Sequence, residues 1–266
     1  MSKGKYYFSK SLEKGLKILA LFNRETASLT QSAIAKALSL NMTSTYRYIN
    51  TLVELGFLEK DGQTKAIRPS LQCLMFCTNL LRATDHRRLI KGIIDTIHQE
   101  HNISIEVAFV VNDTLVRFYN REAAETLTYR LPDSTKNCLQ NTALGKAYLA
   151  ALPPDSLHAK IDAMALTRKT DKTIRSKKKL MAELRTVRAR GYAMSVEEYL
   201  PGLIAIGASL VDPLSAEAVG AVSFDFSVLQ NTPEDIQARY AEMIIAAAAA
   251  LSEVLPPEKG RRPTGS

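Results

Sequence analysis

The sequence predicts an α+β protein in which an N-terminal winged helix-turn-helix precedes a larger domain with an antiparallel sheet. Three observations predict it. Short amphipathic segments and a hairpin signal open the chain, alternating segments follow residue 100, and positive charge is concentrated at the amino-terminal end. The 266 residues suffice for two domains, and 46% of them are hydrophobic, which gives each domain material for a core.

The first three helices are predicted from apolar residues at helical spacing. Residues 11–22 form the first, with Ser11 as its N-cap, and Thr30 caps a short second helix. A third helix over 43–55 ends at Gly56, where a C-terminal cap belongs. Two short helices joined by a tight turn, the second of them longer, are typical of a helix-turn-helix.

A hairpin follows the third helix. The pair Asp61-Gly62 separates two short strand-like runs, 57–60 and 65–68, and this is a two-residue turn signal. We interpret the hairpin as the wing.

The third helix is predicted to bury one stripe and to present a polar face. The stripe consists of Tyr46, Ile49, Leu52 and Val53. Hydroxyl, amide and guanidinium groups on the other face can bind phosphates or read base edges. The candidate DNA-binding residues are those of this face, the start of the second helix and the wing: Thr30, Gln31, Thr43, Ser44, Thr45, Arg47, Tyr48, Lys60 and Lys65.

Charge separates the two parts of the chain. Residues 1–84 carry 12 Lys and Arg against 5 Asp and Glu, whereas the other 182 residues carry 23 against 22. A basic first segment beside a neutral second one indicates that the first meets a polyanion, such as double-stranded DNA. A solvated basic surface is the alternative.

The second part alternates helices and strands. A helix over 70–83 connects the two parts. We predict the following elements after it: a helix at 87–99, strands at 105–111, 115–119, 127–131, 205–211 and 218–226, and helices at 142–152, 176–190 and 233–255. The basic run 177–179 is interpreted as a solvated helix face. Together these elements predict an α+β domain with an antiparallel sheet.

No catalytic motif is present in the sequence. It has no nucleophile elbow, no zinc-protease motif and no phosphate-binding loop, so we predict that the protein is not an enzyme. A small-molecule-metabolising enzyme with an accessory basic domain is the alternative. His98 and His101 are interpreted as a polar helix end rather than a metal pair, and we expect neither metal nor cofactor.

The compartment is predicted from what the sequence lacks. Cys73, Cys77 and Cys138 form no closed disulfide set and suit a reducing environment. Neither a membrane span nor a signal peptide is recognisable, so we expect a cytoplasmic protein.

The chain resembles the IclR family of bacterial transcriptional regulators in three ordered blocks. The first comprises SLEKGLKILALF and LTQSAIAKALSLNMTSTYRYINTLVELGFLEKDGQTKAIRPS, the second is NTALGKA with Leu149-Ala150, and the third is LRTVRARGYAMSVEEYLPG. The resemblance implies a winged helix-turn-helix at 9–69, a linker helix at 70–84, a GAF-like effector-binding domain at 85–256 and a disordered tail at 257–266. It also implies homodimers, often paired into tetramers, on palindromic operators.

The resemblance also implies which residues bind the effector. Backbone N–H groups of Ala143 and Leu144 and the side chains at Ser195, Ala205, Ser223 and Asp225 hold it, and we add Leu127 and Tyr129 as an apolar wall. Relatives that bind small keto-acids carry Asp, Cys, Ser and Ser at the four side-chain positions, so this chain departs at three of them. Ala205 enlarges the pocket and Asp225 repels an anion.

These departures change the expected effector. A two- or three-carbon keto-acid suits the site poorly, and we expect an organic or aromatic acid of a catabolic pathway, or a ligand with an amine or hydroxyl. The alternative is that Ser223 and Asp225 are merely polar residues at a strand end.

Overall fold

A computed structural model describes residues 8–23, 26–82, 85–124, 134–136 and 138–256, and of 81–82 and 134–136 it describes the backbone alone. The chain divides into two compact units, the first ending at Asp85 and the second beginning at His86. Each unit has its own hydrophobic core. Among the described residues, no helix combines the length and apolar character that crossing a bilayer requires.

The first unit contains helices packed around one small core and a two-stranded hairpin. Its elements are α1 (Lys10–Leu19), α2 (Gln31–Ala37), α3 (Met42–Glu54), β1 (Leu58–Lys60), β2 (Ile67–Pro69) and α4 (Leu71–Arg82). The core consists of one or two apolar residues from each of α1, α2, α3 and the two strands: Ile18, Ile34, Ile49, Leu52, Leu58 and Ile67.

The helices begin and end at residues that satisfy free backbone groups. The Thr30 hydroxyl accepts the Ala33 N–H at 3.2 Å and caps α2, as predicted. Gly56 ends α3 with a positive φ of 76°, a conformation that glycine adopts without a Cβ clash. The predicted cap of α1 was wrong, because Ser9 rather than Ser11 accepts the Leu12 N–H.

The buried face of α3 differs from the prediction by one position. Thr45 is fully buried and its hydroxyl donates to the Asn41 carbonyl at 2.9 Å, so it does not belong to the outward face. Tyr46, predicted in the stripe, is exposed. Thr45, Ile49 and Leu52 follow the i, i+4, i+7 spacing of one helix face, and a small polar Thr occupies the place where an apolar residue was expected.

The wing is a hairpin, but not with the predicted turn. Strands β1 and β2 pair antiparallel, with Glu59 opposite Arg68, and residues 61–66 connect them. The Asp61 carboxylate accepts the N–H groups of Gln63 and Thr64, at 3.0 and 2.6 Å, which closes a wider loop than a two-residue turn. These hydrogen bonds hold the pKa of Asp61 below its usual value.

The second unit is a six-stranded antiparallel sheet with helices on both faces. Its elements are α5 (His86–His101), β3 (Ser104–Val111), β4 (Thr114–Arg121), β5 (Ser134–Lys136), α6 (Ala143–Ala151), α7 (Pro154–Ala163), α8 (Lys177–Arg190), β6 (Ala193–Val196), β7 (Leu203–Val211), β8 (Ala218–Ser227) and α9 (Pro233–Glu253). The strand order is β5-β4-β3-β8-β7-β6.

Successive side chains along each strand point to opposite faces of the sheet, and each face has its own hydrophobic core. Val107, Ile206 and Phe224 face α5 and α9, where Ile94 and Ile244 complete the packing. Ala108 and Ala221 lie in the core of the opposite face, with residues of α6, α7 and α8. The small residues on this second face leave space between α6 and the sheet.

The predicted α+β class, with its winged helix-turn-helix and antiparallel sheet, is confirmed. Three of the described elements were not predicted, namely α7, which begins at Pro154, and the short strands β5 and β6. The predicted strand at 127–131 and the predicted tail at 257–266 lie outside the described residues.

The cap of α3 gives a testable prediction. The Asn41 side chain accepts the Ser44 N–H at 2.8 Å, so Asn41→Ala removes a hydrogen bond worth about 1 kcal/mol to helix stability. We expect the amides of α3 to exchange hydrogen about fivefold faster in the full chain, as measured by mass spectrometry. Asn41→Asp retains an acceptor and is the control. Equal exchange in wild type and Asn41→Ala contradicts the assigned cap.

Candidate functional site

The first unit presents a continuous polar surface on α3. Its exposed side chains in the first three turns include Thr43, Tyr46, Arg47 and Asn50, and Ser44 is half-buried beside them. Of the helix residues predicted to bind DNA, Thr45 is buried and Tyr48 packs partly against the core. Tyr46 was missed, because it was assigned to the stripe.

Other predicted DNA-binding residues make local contacts. Gln31 Nε2 donates to the Met42 carbonyl at 3.3 Å, which ties the start of α2 to the start of α3. In the wing, Lys65 Nζ donates to the Gly62 carbonyl at 2.6 Å, and Lys60 Nζ lies 6.0 Å from the centre of the Tyr46 ring. The tyrosine and the wing ammonium therefore belong to one surface.

In the second unit, the sheet register brings the predicted effector residues together. Ser195 pairs with Ala205, and Ala205 with Asp225, so these residues form a row across β6, β7 and β8. Ser223 lies two residues before Asp225 on the same face and pairs with Gly207. Residues far apart in sequence thus become neighbours through strand pairing.

Helix α6 begins directly above this row. A Cβ placed on Gly207 would lie 3.1 Å from the backbone carbon of Ala143 and 3.0 Å from the Val222 oxygen, so a glycine permits the approach. The Thr142 hydroxyl caps the helix by accepting the Gly145 N–H at 3.0 Å. Among the described residues, no acceptor takes the N–H of Ala143 or Leu144, as is usual for the first two helical positions.

The space between α6 and the sheet is a cavity of about 270 Å³, part of it open to solvent. Its lining residues are Thr142, Ala143, Leu144, Ser195, Tyr199, Leu203, Ala205, Ser223 and Asp225. Six of the eight predicted effector residues are among them, whereas Leu127 and Tyr129 lie outside the described residues.

Three lining residues, Thr142, Tyr199 and Leu203, were missed. Thr142 and Tyr199 lie inside the sequence blocks that carry the family resemblance, so the signal was available. The enclosed part of the cavity is small, smaller than the argument from Ala205 suggested, since Leu144, Tyr199 and Leu203 also line it.

Asp225 is the carboxylate of this cavity. Burial and the nearby Glu106 carboxylate raise the pKa of Asp225 from 3.8 to about 7, although part of its side chain faces the cavity. The Ser223 hydroxyl donates to Asp225 Oδ1 at 3.1 Å and opposes the shift, as does Arg117. Arg117 Nε itself donates to Glu106 Oε1 at 3.1 Å.

The loop carrying Tyr199 is tied to α6 by a buried ion pair. Lys146 Nζ donates to Glu198 Oε1 at 2.5 Å, and Lys146 is 1% exposed. Burial raises the pKa of Glu198, and the Lys146 ammonium opposes that shift. The Thr173 hydroxyl holds the same loop by donating to the Glu198 carbonyl at 2.7 Å. Tyr199 is thereby positioned at the cavity.

A second, larger cavity adjoins the first. Its volume is about 870 Å³, and Leu203 and Asp225 line both cavities. Polar groups dominate its wall, among them Glu106 and Arg117. The Asp225 carboxylate can therefore be reached from two sides.

A winged helix-turn-helix followed by a sheet domain with an internal cavity defines a transcription regulator. The chain belongs to the IclR family, as the sequence blocks indicated. Residues 11–62 match the model described as IclR helix-turn-helix domain, and residues 78–253 match the model described as Bacterial transcriptional regulator IclR C-terminal. Both are regulator domains, so the protein is a DNA-binding regulator and not an enzyme.

Characterised relatives share nearly the whole chain. The HTH-type transcriptional regulator BhcR of Paracoccus denitrificans is 29% identical over 255 residues, covering 94% of this chain and 88% of that protein. The Pca regulon regulatory protein of Pseudomonas putida is 24% identical over 251 residues, covering 93% and 84%.

Solved structures share the fold. A putative IclR regulator from Silicibacter has a TM-score of 0.78 at 21% identity, covering 91% of this chain and 95% of that one. An IclR homolog from Microbacterium hydrocarbonoxydans, complexed with 4-hydroxybenzoate, has a TM-score of 0.70 at 18% identity, covering 92% and 98%.

The close approach at Gly207 gives a second prediction. Gly207→Ala forces α6 and β7 apart by a few tenths of an ångström, which we expect to lower the free energy of unfolding of the second unit by about 1–3 kcal/mol. Urea denaturation followed by circular dichroism measures it. Gly92→Ala is the matched control, because nothing lies within 4 Å of a Cβ at that exposed helical position. Equal loss of stability in both variants contradicts the contact.

The raised pKa of Asp225 gives a third prediction. The folded protein keeps a proton that the unfolded chain releases above pH 3.8, so the Asp225 contribution to the free energy of unfolding falls as the pH rises toward about 7. Asp225→Asn lacks this titration. We expect the stability of wild type relative to Asp225→Asn to decrease steadily from about pH 5 to about pH 7 in urea denaturation. A difference that stays level over this range rules out the raised pKa.

Proposed function

We propose that this chain binds operator DNA through α3 and the wing, and that a small organic acid bound between α6 and the sheet controls that binding. The protein acts as a homodimer, or a pair of dimers, in the cytoplasm, where it regulates a catabolic operon. One observation carries the proposal for the effector: six residues predicted from separate parts of the sequence line one cavity.

The cavity suits an organic acid at its α6 end. The free N–H groups of Ala143 and Leu144 lie at a helix N-terminus, where a carboxylate is stabilised by hydrogen bonds and by the helix dipole. Leu144, Leu203 and Ala205 offer apolar contact to the rest of the molecule. The 4-hydroxybenzoate bound by the Microbacterium homolog is a carboxylic acid and supports this chemistry.

The DNA-binding part is proposed to use the outward face of α3. Arg47, Thr43 and Tyr46 are exposed there, and Lys60 of the wing lies beside Tyr46. A guanidinium can pair with guanine or phosphate, and a hydroxyl can donate to phosphate. In a dimer, two such helices enter successive major grooves about 34 Å apart.

Within the first unit, α4 is bonded to the end of α3. The Ser70 hydroxyl donates to the Gly56 carbonyl, and Gln72 Nε2 donates to the Leu55 carbonyl at 3.2 Å. The Phe57 and Phe76 rings pack edge to face, with centroids 5.1 Å apart. We propose that a movement of α4 carries α3 with it, so that the effector changes operator affinity through this helix.

The apolar face of α4 supports a dimer. Leu71, Leu74 and Met75 share one side of the helix and are exposed in the described chain, and a second copy of α4 can cover them. The effector then acts through its affinity: an effector that binds one dimer arrangement more tightly increases the population of that arrangement.

Loss of one guanidinium tests the DNA-binding proposal. We expect Arg47→Ala to weaken binding to duplex DNA from the promoters of its own and neighbouring genes at least about tenfold, measured by fluorescence anisotropy, because a charge-assisted contact is lost. Arg185→Ala, an equal charge change on an exposed face of α8, is the control and retains affinity. Equal affinities in the two variants argue against α3 as the reading element. The effector proposal fails separately if compounds that bind the cavity leave operator affinity unchanged.

A further inference from the structure

The charge balance around Asp225 bears on what binds beside it. On this face of the sheet, Glu106 pairs across the strands with Ser223, two residues from Asp225. Arg117, whose charge lowers the pKa of Asp225, donates its Nε to Glu106. Among the described residues, Asp225 has the Ser223 hydroxyl as its hydrogen-bond partner and no cation within ion-pair distance.

Within the part of the chain that the structure describes, the cavity wall has no positive side chain. Its nine lining residues are apolar, hydroxyl-bearing or, in Asp225 alone, acidic. An ionised Asp225 therefore has no ion-pair partner among these nine residues, and the Ser223 hydroxyl and the more distant Arg117 charge offset its burial only in part, so a ligand cation stabilises it.

The opposite pole of the same cavity is the α6 N-terminus. It attracts a carboxylate, whereas Asp225 attracts a protonated amine and repels a second acid group. We infer that the effector of this chain is a small amino acid, with its carboxylate at the N–H groups of Ala143 and Leu144 and its ammonium group at Asp225. This inference rests on the proposed effector site and names the class of ligand for it.

The lining also limits the rest of the ligand. Leu144, Leu203 and Ala205 favour an aliphatic side chain, and a cavity of about 270 Å³ favours a short one. Ser195 contributes little to an ammonium group, since its hydroxyl already donates to the Asn141 carbonyl at 2.8 Å. Asp225 is therefore the residue expected to distinguish an amino acid from an acid of the same skeleton without the amine.

The test uses ligands that differ at a single group. Isothermal titration calorimetry on the full chain compares alanine, serine, valine and leucine with the 2-hydroxy and 2-keto acids of the same skeletons. We expect at least one amino acid to bind at least about thirtyfold more tightly than its hydroxy and keto counterparts, because those leave the carboxylate unpaired.

Two variants test whether the preference for amino acids depends on Asp225. Asp225→Asn keeps the shape and removes the charge, and we expect it to lose the thirtyfold preference while unfolding cooperatively like wild type. Asp162→Asn removes an exposed carboxylate on α7 and serves as the control, with the preference unchanged.

Two results overturn the inference. One is binding of the hydroxy or keto acids that is equal to or tighter than that of the amino acids, with Asp225→Asn unchanged; the proposed effector site then stands with another ligand class. The other is absence of amino-acid binding at millimolar concentration. The proposed function fails on a different measurement, namely operator affinity that does not respond to any bound compound.

Discussion

The close approach of α6 to β7 is the constraint on which the second unit depends. Gly207 has no side chain, so the first residue of α6, Ala143, rests on the strand backbone. That contact places the free N–H groups at the start of α6 beside the same cavity that Ser195, Ala205 and Asp225 line. A larger residue at 207 separates the helix from the row, and the two poles of the cavity then no longer face one space.

The Asp225 carboxylate makes this cavity electrostatically unlike a simple anion site. Its pKa of about 7 means that the neutral and the ionised carboxyl are both populated near pH 7 when the cavity is empty. A ligand cation favours the ionised form, because the charged pair replaces the unpaired charge. Glu106, which accepts a hydrogen bond from Arg117, adds a second carboxylate near the site and raises the pKa of Asp225.

The sequence predicted the elements better than it predicted faces and neighbours. The prediction assigned Thr45 to the surface because it is polar and Tyr46 to the core because it is a large aromatic residue. Their neighbouring positions on α3 left open which of the two is buried, and the structure buries Thr45. Six of the residues predicted to bind the effector line one cavity, because alignment with the family's motifs selected them and the pairing of β6, β7 and β8 makes them neighbours. Leu203 has no such mark in the sequence, and the influence of Glu106 on Asp225 depends on pairing between β3 and β8.

The first unit has a corresponding constraint at the junction of α3 and α4. The carbonyls at the end of a helix have no partner within the helix. Here Gln72 of α4 donates to the Leu55 carbonyl, and Ser70, directly before α4, donates to the Gly56 carbonyl. A helix end that is bonded to its neighbour cannot rotate without breaking those bonds or taking the neighbour along. Because the hydrogen bonds and the Phe57–Phe76 contact act together, joint movement costs less than separation. In the proposed function, a displacement of α4 would therefore move α3 as well, and no change inside α3 would be required.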